Sequence, residues 1–538
     1  MSYYYVDMYI AAIPNRSSPP AILLRESFRH QGKVKSRTLA NLSDWAPSRI
    51  EALRKALHGD FDNLAVSDPT VGTVFGLLHV LKHVAEDLGI TAALGKSRLG
   101  KLALLIVLVR LAHQGSRLSS VRWAENHAVT EVLGVNRFDE DDLYAALDDL
   151  CARQEQIERK LYERYLRLRG APPSLVLYDV TSSYLEGEHN ALGAFGYNRD
   201  GKRGKLQIVI GLLADSQGEP LAVRVFAGNT SDPVTVADQI TLVKEQFGVE
   251  ELVCVGDRGM VKSKGQQALH AAGLRYITAL TDPQIRRLLA QGTLQLGLFH
   301  EKVCEVEADG VRYVLRKNET TAAREQHRLQ DKLVTLEGKI AQRNQQVQAS
   351  ERCRPEAGSR QLQTWIGRHK LTALVELRLE GRALLVVKNE ATTERAMELA
   401  GCYVVTSDVR QEHMTDQEVH DSYVSLQKVE RDFRSMKTGL LEVRPVFVRK
   451  ESRTRGHVFG CMLALKISRE MERRLTAAFG TTDSNPHAIT LPDALASLSR
   501  LCLLHYPINA DTTVTRLPKP DARQKEILTA LGVALPEK

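Results

Sequence analysis

The stretch at residues 175–280 constrains the fold most. It opens with a continuous apolar run closed by Asp179, in LVLYDVTSS, and continues with two further strand-like segments, GKLQIVIGLLADSQGEP and PLAVRVFAGNTSD, joined by an Asp/Gly turn. The pattern then alternates: a helix in VTVADQITLVKEQFG, a strand at 251–255 ending at Asp257 in ELVCVGDRGM, a helix in KGQQALHAAG and a strand in RYITAL. Three strands, helix, strand, helix, strand predict an antiparallel meander extended by β-α-β units. The result is a mixed α/β sheet with helices packed on it.

Asp179 and Asp257 each close a strand that is otherwise apolar, where a carboxylate is rare unless it is paired or binds metal. If the two strands are neighbours, both side chains emerge on one rim about 5 Å apart. A third acid comes from residues 423–440, YVSLQKVERDFRSMKTGL. Read as one helix, its Tyr423, Leu426, Val429, Phe433, Met436 and Leu440 make a buried stripe. Tyr423, Glu430 and Lys437 follow one another at intervals of almost two turns, so they line up along the stripe's edge with a drift of only about 20° per step. Oxygen-only ligands, with no histidine or cysteine beside them, suit Mg²⁺ or its substitute Mn²⁺ over zinc. Three carboxylates of this kind hold two ions about 3.5–4 Å apart for in-line phosphoryl transfer. Each acid alone has a plainer reading: Asp179 capping a turn with Thr181 and Ser182, Asp257 starting a helix, Glu430 pairing with Arg434 four residues on. The three together favour the metal site.

The rest of the chain frames this core. With 538 residues and 43% hydrophobic content, several domains with real cores are expected. Residues 1–48 read as a small β-rich start, with strands at 3–13 and 21–29 and a basic turn in HQGKVKSR; 49–170 read as a helical bundle that could contact DNA through the basic helix SRLSSVRWAENH and its Arg117 and Arg122. The sheet pattern of 171–282 is interrupted at 283–400 by strands and a polar helix at 321–348, whose leucines suit either a coiled coil or packing on its own chain. It resumes at 401–475, and 476–538 read as helical. Seven cysteines stand singly, without metal spacing or a disulfide framework, and the longest apolar run, 102–109, is too short for a bilayer. A cytoplasmic protein without membrane contact is expected.

The net charge of +8 is a small excess whose placement matters more than its sum. Lys202, Arg203 and Lys205 lie between the first two core strands; Arg258, Lys262 and Lys264 follow the second aspartate; Arg444, Arg449, Lys450, Arg453 and Arg455 follow the 423–440 helix. Phosphate neutralisation along a DNA track is the role such clusters share. GYNRDGKR, at 196–203, mimics a nucleotide P-loop. Arg203 stands where that loop needs Ser or Thr, and a strand follows instead of a helix, so no nucleotide is expected.

The array LYDVTSSY, GLLADSQGEPLAVRVFAGNTSD, VCVGDRGM and Tyr423-x2-Leu426-x3-Glu430-x6-Lys437 resembles the DDE-type transposases of bacterial insertion sequences, in the group marked by a Tyr-x2-Arg-x3-Glu-x6-Lys helix. RGHVFGCMLAL and the N-terminal LLRESFRHQGKVKSRTLANL also look like that group. The resemblance implies a ribonuclease H-like core, with Asp179, Asp257 and Glu430 as catalytic ligands of two Mg²⁺ ions. It implies that Tyr423 and Lys437 touch DNA phosphates near the cut. Leu426 departs from the signature's Arg, and Arg431 or Arg434 could compensate. The implied partners are double-stranded DNA, both element ends and target, and a second copy of the chain in a paired-end complex on the bacterial nucleoid. Two other readings remain: a nuclease of the same fold without strand transfer, and a non-catalytic DNA-binding regulator.

Overall fold

The computed structural model describes residues 7–536 apart from 16–18, 31–32, 60–68, 250–251, 259–260, 262, 301–303, 438, 445 and 510–511. Lys262 and the first residues of the strand expected at 3–13 lie outside the described residues, as does the side chain of Lys264. The chain divides into two compact units, one of Met1–Val80, Ala124–Ala128 and Pro492–Lys538, the other of Leu81–Trp123 and Val129–Leu491.

In the first unit β1 (Asp7–Ile13), β2 (Ala21–His30) and β3 (Lys33–Asn41) form an antiparallel sheet. β3 falls where a basic turn was expected; every one of its residues is exposed, so no apolar alternation marks it. β4 (Thr70–Val74) pairs with Cys502–Asn509, which pairs in turn with Thr512–Arg516. The region 476–538 is therefore not purely helical, and this long-range pairing sets a boundary different from the one expected near residue 48.

The second unit is built on one mixed sheet. Its strands are β5 (Leu175–Tyr184), β6 (Gln207–Asp215), β7 (Pro220–Ala227), β8 (Val253–Gly256), β9 (Arg275–Ala279), β10 (Cys304–Ala308) and β11 (Val311–Lys317). A hairpin of β12 (Val375–Glu380) and β13 (Ala383–Lys388) stands apart, and β14 (Cys402–Ser407) returns to the sheet. The order is β10-β11-β14-β9-β8-β5-β6-β7, with β5, β8 and β9 parallel and every other neighbouring pair antiparallel. β6 is buried along its whole length, as a strand covered on both faces must be. Val176, Tyr178 and Val180 of β5 pack with Val209, Leu213 and the helix-borne Val236 and Leu269.

β10 and β11, expected to belong to an insertion at 283–400, extend the sheet instead. The excursion begins at the helix Glu319–Ala349 and ends before β14. The leucine stripe of that helix is covered by its own chain: Leu333, Leu336 and Ile340 share a core with Leu362 and Ile366 of the helix Pro355–Arg368 and with Leu384 of β13.

The helix Glu451–Phe479 is buried over its middle, from Gly456 through Ser468. It crosses the helix Glu140–Ala152 closely: a Cβ on Gly456 would stand 2.0 Å from the Leu147 carbonyl oxygen. Backbone cannot rotate aside, so Gly456→Ala is expected to destabilise the unit by about 1–3 kcal/mol. A thermal midpoint unchanged in calorimetry would refute that crossing. Among the described residues no single helix is long and apolar enough to cross a membrane.

Candidate active site

Strand pairing sets two aspartates side by side. β5 and β8 run parallel with Tyr178 opposite Gly256, so Asp179 in β5 and Asp257 directly after β8 come next, their backbones about 5 Å apart. Asp179 does not end its strand as expected. β6 pairs with β5 from Val176 through Tyr184, which keeps the strand extended, and only the pairing with β8 stops at Tyr178. Because Val176, Tyr178 and Val180 face the core, alternation turns Asp179 to the opposite face.

The helix expected at 423–440 is two helices, Asp416–Val424 and Leu426–Lys437. Between them the Ser425 hydroxyl donates to the Asp421 carbonyl oxygen at 3.0 Å, a back-bond that bends helices. Tyr423 therefore lies in the last turn of the first helix, while Glu430 and Lys437 ride on the second. Val429, Phe433 and Met436 bury one face of that second helix. Asp432 on the same face pairs with Arg469, whose Nε donates at 2.6 Å. With that face held down, Glu430 stays exposed and lines a cavity with Asp179 and Asp257. Leu426 is buried, so the position that carries Arg in the signature here serves packing.

The electrostatics register the convergence. Burial first, and then the charges of Asp257 and Glu430, push the Asp179 carboxyl up to about 7. The Tyr423 hydroxyl donates to Asp257 Oδ1 at 3.4 Å, and burial followed by that carboxylate pushes the phenol upward. Asp257 Oδ1 also accepts from the Arg258 backbone N–H at 2.7 Å.

Two cavities meet at the three acids. The larger, about 1020 Å³, carries Tyr423, Arg258 and Arg316; the smaller, about 570 Å³, carries Arg199, Asp200, Arg434, Lys437 and Arg444. Asp200, its side chain 1% exposed, accepts from Lys437 Nζ at 2.8 Å and lies 2.6 Å from Arg444 Nη1; its other oxygen accepts from the Tyr184 N–H at 3.2 Å. Beside it Arg199 pairs with Asp232 at 2.5 Å. Sequence reasoning missed Asp200 and Arg199, which belong to the GYNRDGKR segment set aside as a false P-loop. Asp200→Ala strands two cations next to a carboxylate cluster, and losing one partner of a buried pair costs about 3–5 kcal/mol. Urea unfolding should show that loss, with Asp200→Asn between the two.

The other expected DNA contacts are dispersed. Arg258 lies 3.8 Å from Asp282, Lys205 is 2.7 Å from Glu186, and Lys202 stands 6.0 Å from the Tyr184 ring centroid. Lys202, Arg203 and Lys205 are exposed and line neither cavity. Arg117, expected on a DNA-facing helix, is buried, and burial pushes its guanidinium down to about 9.

Among the described residues no three acidic, histidine or cysteine side chains stand close enough to enclose a metal ion. The donors nonetheless suit a hard divalent cation in kind: all are carboxylate oxygens, and a cation relieves the repulsion from Asp257 and Glu430 that adds to burial in raising Asp179. Asp257 and Glu430 are exposed, so their carboxylates can turn without disturbing the core.

Fold and site thus define a mixed α/β protein with a three-carboxylate cleft flanked by cations. Residues 12–65 match the sequence profile of the IS1634 family transposase, N-terminal domain. No curated protein matches the sequence. Among solved structures the chain is similar to the piggyBac transposase in its cryo-EM synaptic complex with hairpin DNA, with 8% identity, a TM-score of 0.35, and coverage of 74% of this chain and 69% of that one.

Proposed function

We propose that this chain is the DNA transposase of an insertion sequence, a metal-dependent enzyme of the DDE type that cleaves strands at the element's ends and joins them to target DNA. The observation that carries this reading is the meeting of Asp179, Asp257 and Glu430 on one cavity, where burial first, and then the charges of the two other acids, raise the proton affinity of Asp179. Two further observations support it. The order β7-β6-β5-β8-β9, three antiparallel strands continued by two parallel ones, is the arrangement expected of a ribonuclease H-like core. The N-terminal match is to a transposase domain.

In this reading Asp179, Asp257 and Glu430 hold Mg²⁺. Bound there, the cation supplies an activated attacking oxygen and charge stabilisation at the scissile phosphate. Tyr423 orients Asp257 by donating to it. Arg199, Lys437 and Arg444 present positive charge to the phosphates of a strand entering the smaller cavity, and Asp200 keeps two of them in place. Phosphodiester energy is conserved by transesterification, so no nucleotide is consumed. The working form is a dimer that pairs two DNA ends.

The test is incubation of the full chain with labelled duplexes carrying the ends of its own element, in Mg²⁺ and in EDTA. Metal-dependent nicking with joined product supports the transposase. Nicking without joining would replace it by a nuclease, and binding without either reaction by a regulator.

A further inference from the structure

The segment linking β5 to β6 leaves two aromatic rings in solvent. Phe195 is 68% exposed and Tyr197 80%. Single exposed apolar side chains are ordinary, but these two flank a residue that is fixed in place. A Cβ on Gly196 would stand 2.1 Å from the Gly228 carbonyl oxygen, so the backbone lies flush against the end of β7. Gln207 Nε2 ties the same spot down, donating to the Tyr197 carbonyl oxygen at 3.0 Å and to that of Gly228 at 2.9 Å. Three residues further on, Asp200 is clamped by Lys437 and Arg444. The rings are therefore presented on a held backbone.

Their position adjoins the acids. The Arg199 guanidinium lies 5.3 Å from the Tyr197 ring centroid, and Arg199 lines the smaller cavity together with Asp179, Asp257 and Glu430. Exposed Lys202 and Arg203 follow within the same segment. Aromatic faces interleaved with cations beside a phosphate-processing site are what an unpaired nucleotide needs: the rings stack on the base and the cations neutralise the backbone.

We propose that Phe195 and Tyr197 form a stacking platform for an unpaired base of the DNA strand held at the carboxylate cavity. The platform separates a base from its partner next to the phosphate to be cut, so the duplex opens where the acids act. This rests on the transposase reading above, and the two fail in different ways.

Stacking on an aromatic face is tolerant of sequence, so the probe can be a forked duplex of arbitrary sequence with 2-aminopurine at its first unpaired position. The full chain is titrated onto this fork and onto the matching blunt duplex, in Ca²⁺ to prevent cutting. Phe195→Ala/Tyr197→Ala should bind the fork at least roughly tenfold more weakly, as expected for lost stacking, with blunt-duplex affinity nearly unchanged. It should also lose the wild type's effect on 2-aminopurine emission. Tyr197→Phe, which keeps the ring, should bind as wild type does. Wild-type affinity of the double variant for both probes, with wild-type emission, overturns the platform. A change in oligomeric state with fork binding intact overturns it too, assigning the rings to a contact between chains. A wild type that binds the fork no better than the blunt duplex overturns the platform as well, whereas the transposase reading stands or falls on cleavage of the element's own ends.

Discussion

Glu430→Gln and Asp257→Asn should each slow strand cleavage by roughly 10³-fold or more, because removing one carboxylate forfeits several kcal/mol of cation-borne transition-state stabilisation. Both side chains are exposed, so neither change opens a cavity or strands a buried partner, and thermal midpoints should stay close to wild type. Duplex binding without metal should persist and strengthen slightly, as one negative charge leaves a cleft that receives phosphates. The measurement is single-turnover cleavage at saturating Mg²⁺ beside a binding titration in EDTA. Cleavage within tenfold of wild type in either variant would remove that residue from the catalytic set. A parallel loss of binding and folding would mean that the variant reports on structure instead of chemistry.

What the sequence revealed and what it hid divide along physical lines. The core strands were legible because burial on both faces leaves a continuous apolar run, as in β6, and because a charged residue interrupting such a run, Asp179 or Asp257, is conspicuous. That the two aspartates stand side by side depends on their strands being neighbours, which the parallel pairing of β5 with β8 makes them. Features set by distant partners were not legible. β5 continues past Asp179 because β6 pairs with it there, and Thr181, Ser182 and Ser183 in that extension carry no apolar signal. β10 and β11 read as part of an insertion, since periodicity reports on a strand's own faces and nothing local says that β11 will meet β14, about ninety residues later in the chain. The break at Ser425 was not legible because the apolar spacing of Tyr423, Leu426 and Val429 runs on across it. Asp200 was missed for a related reason: its partners, Lys437 and Arg444, lie more than two hundred residues on.

The last expected result concerns stability without metal. Asp179→Asn should leave the protein as stable as wild type near pH 4 and make it more stable at pH 8, in EDTA. The sign follows from the direction of the shift. The folded protein holds the Asp179 carboxyl at about 7, above its ordinary 3.8, because burial and the charges of Asp257 and Glu430 disfavour the anion. Below pH 4 the group is protonated in both folded and unfolded chains and contributes nothing. Between pH 4 and 7 the unfolded chain releases the proton and the folded one retains it, so wild-type stability falls with rising pH, then levels off above 7. The asparagine carries no charge to desolvate and escapes this loss, which amounts to about 2–4 kcal/mol at pH 8. Mg²⁺ should reverse the ranking. A cation offsets the repulsion among the three acids and stabilises the folded wild type by mass action, whereas the variant offers it one ligand fewer. Urea midpoints across this pH range, with and without Mg²⁺, provide the measurement. Curves for wild type and variant that run parallel from pH 4 to 8 would mean that Asp179 is ionised in the folded protein without cost, and that the three carboxylates are not coupled as their shared cavity indicates.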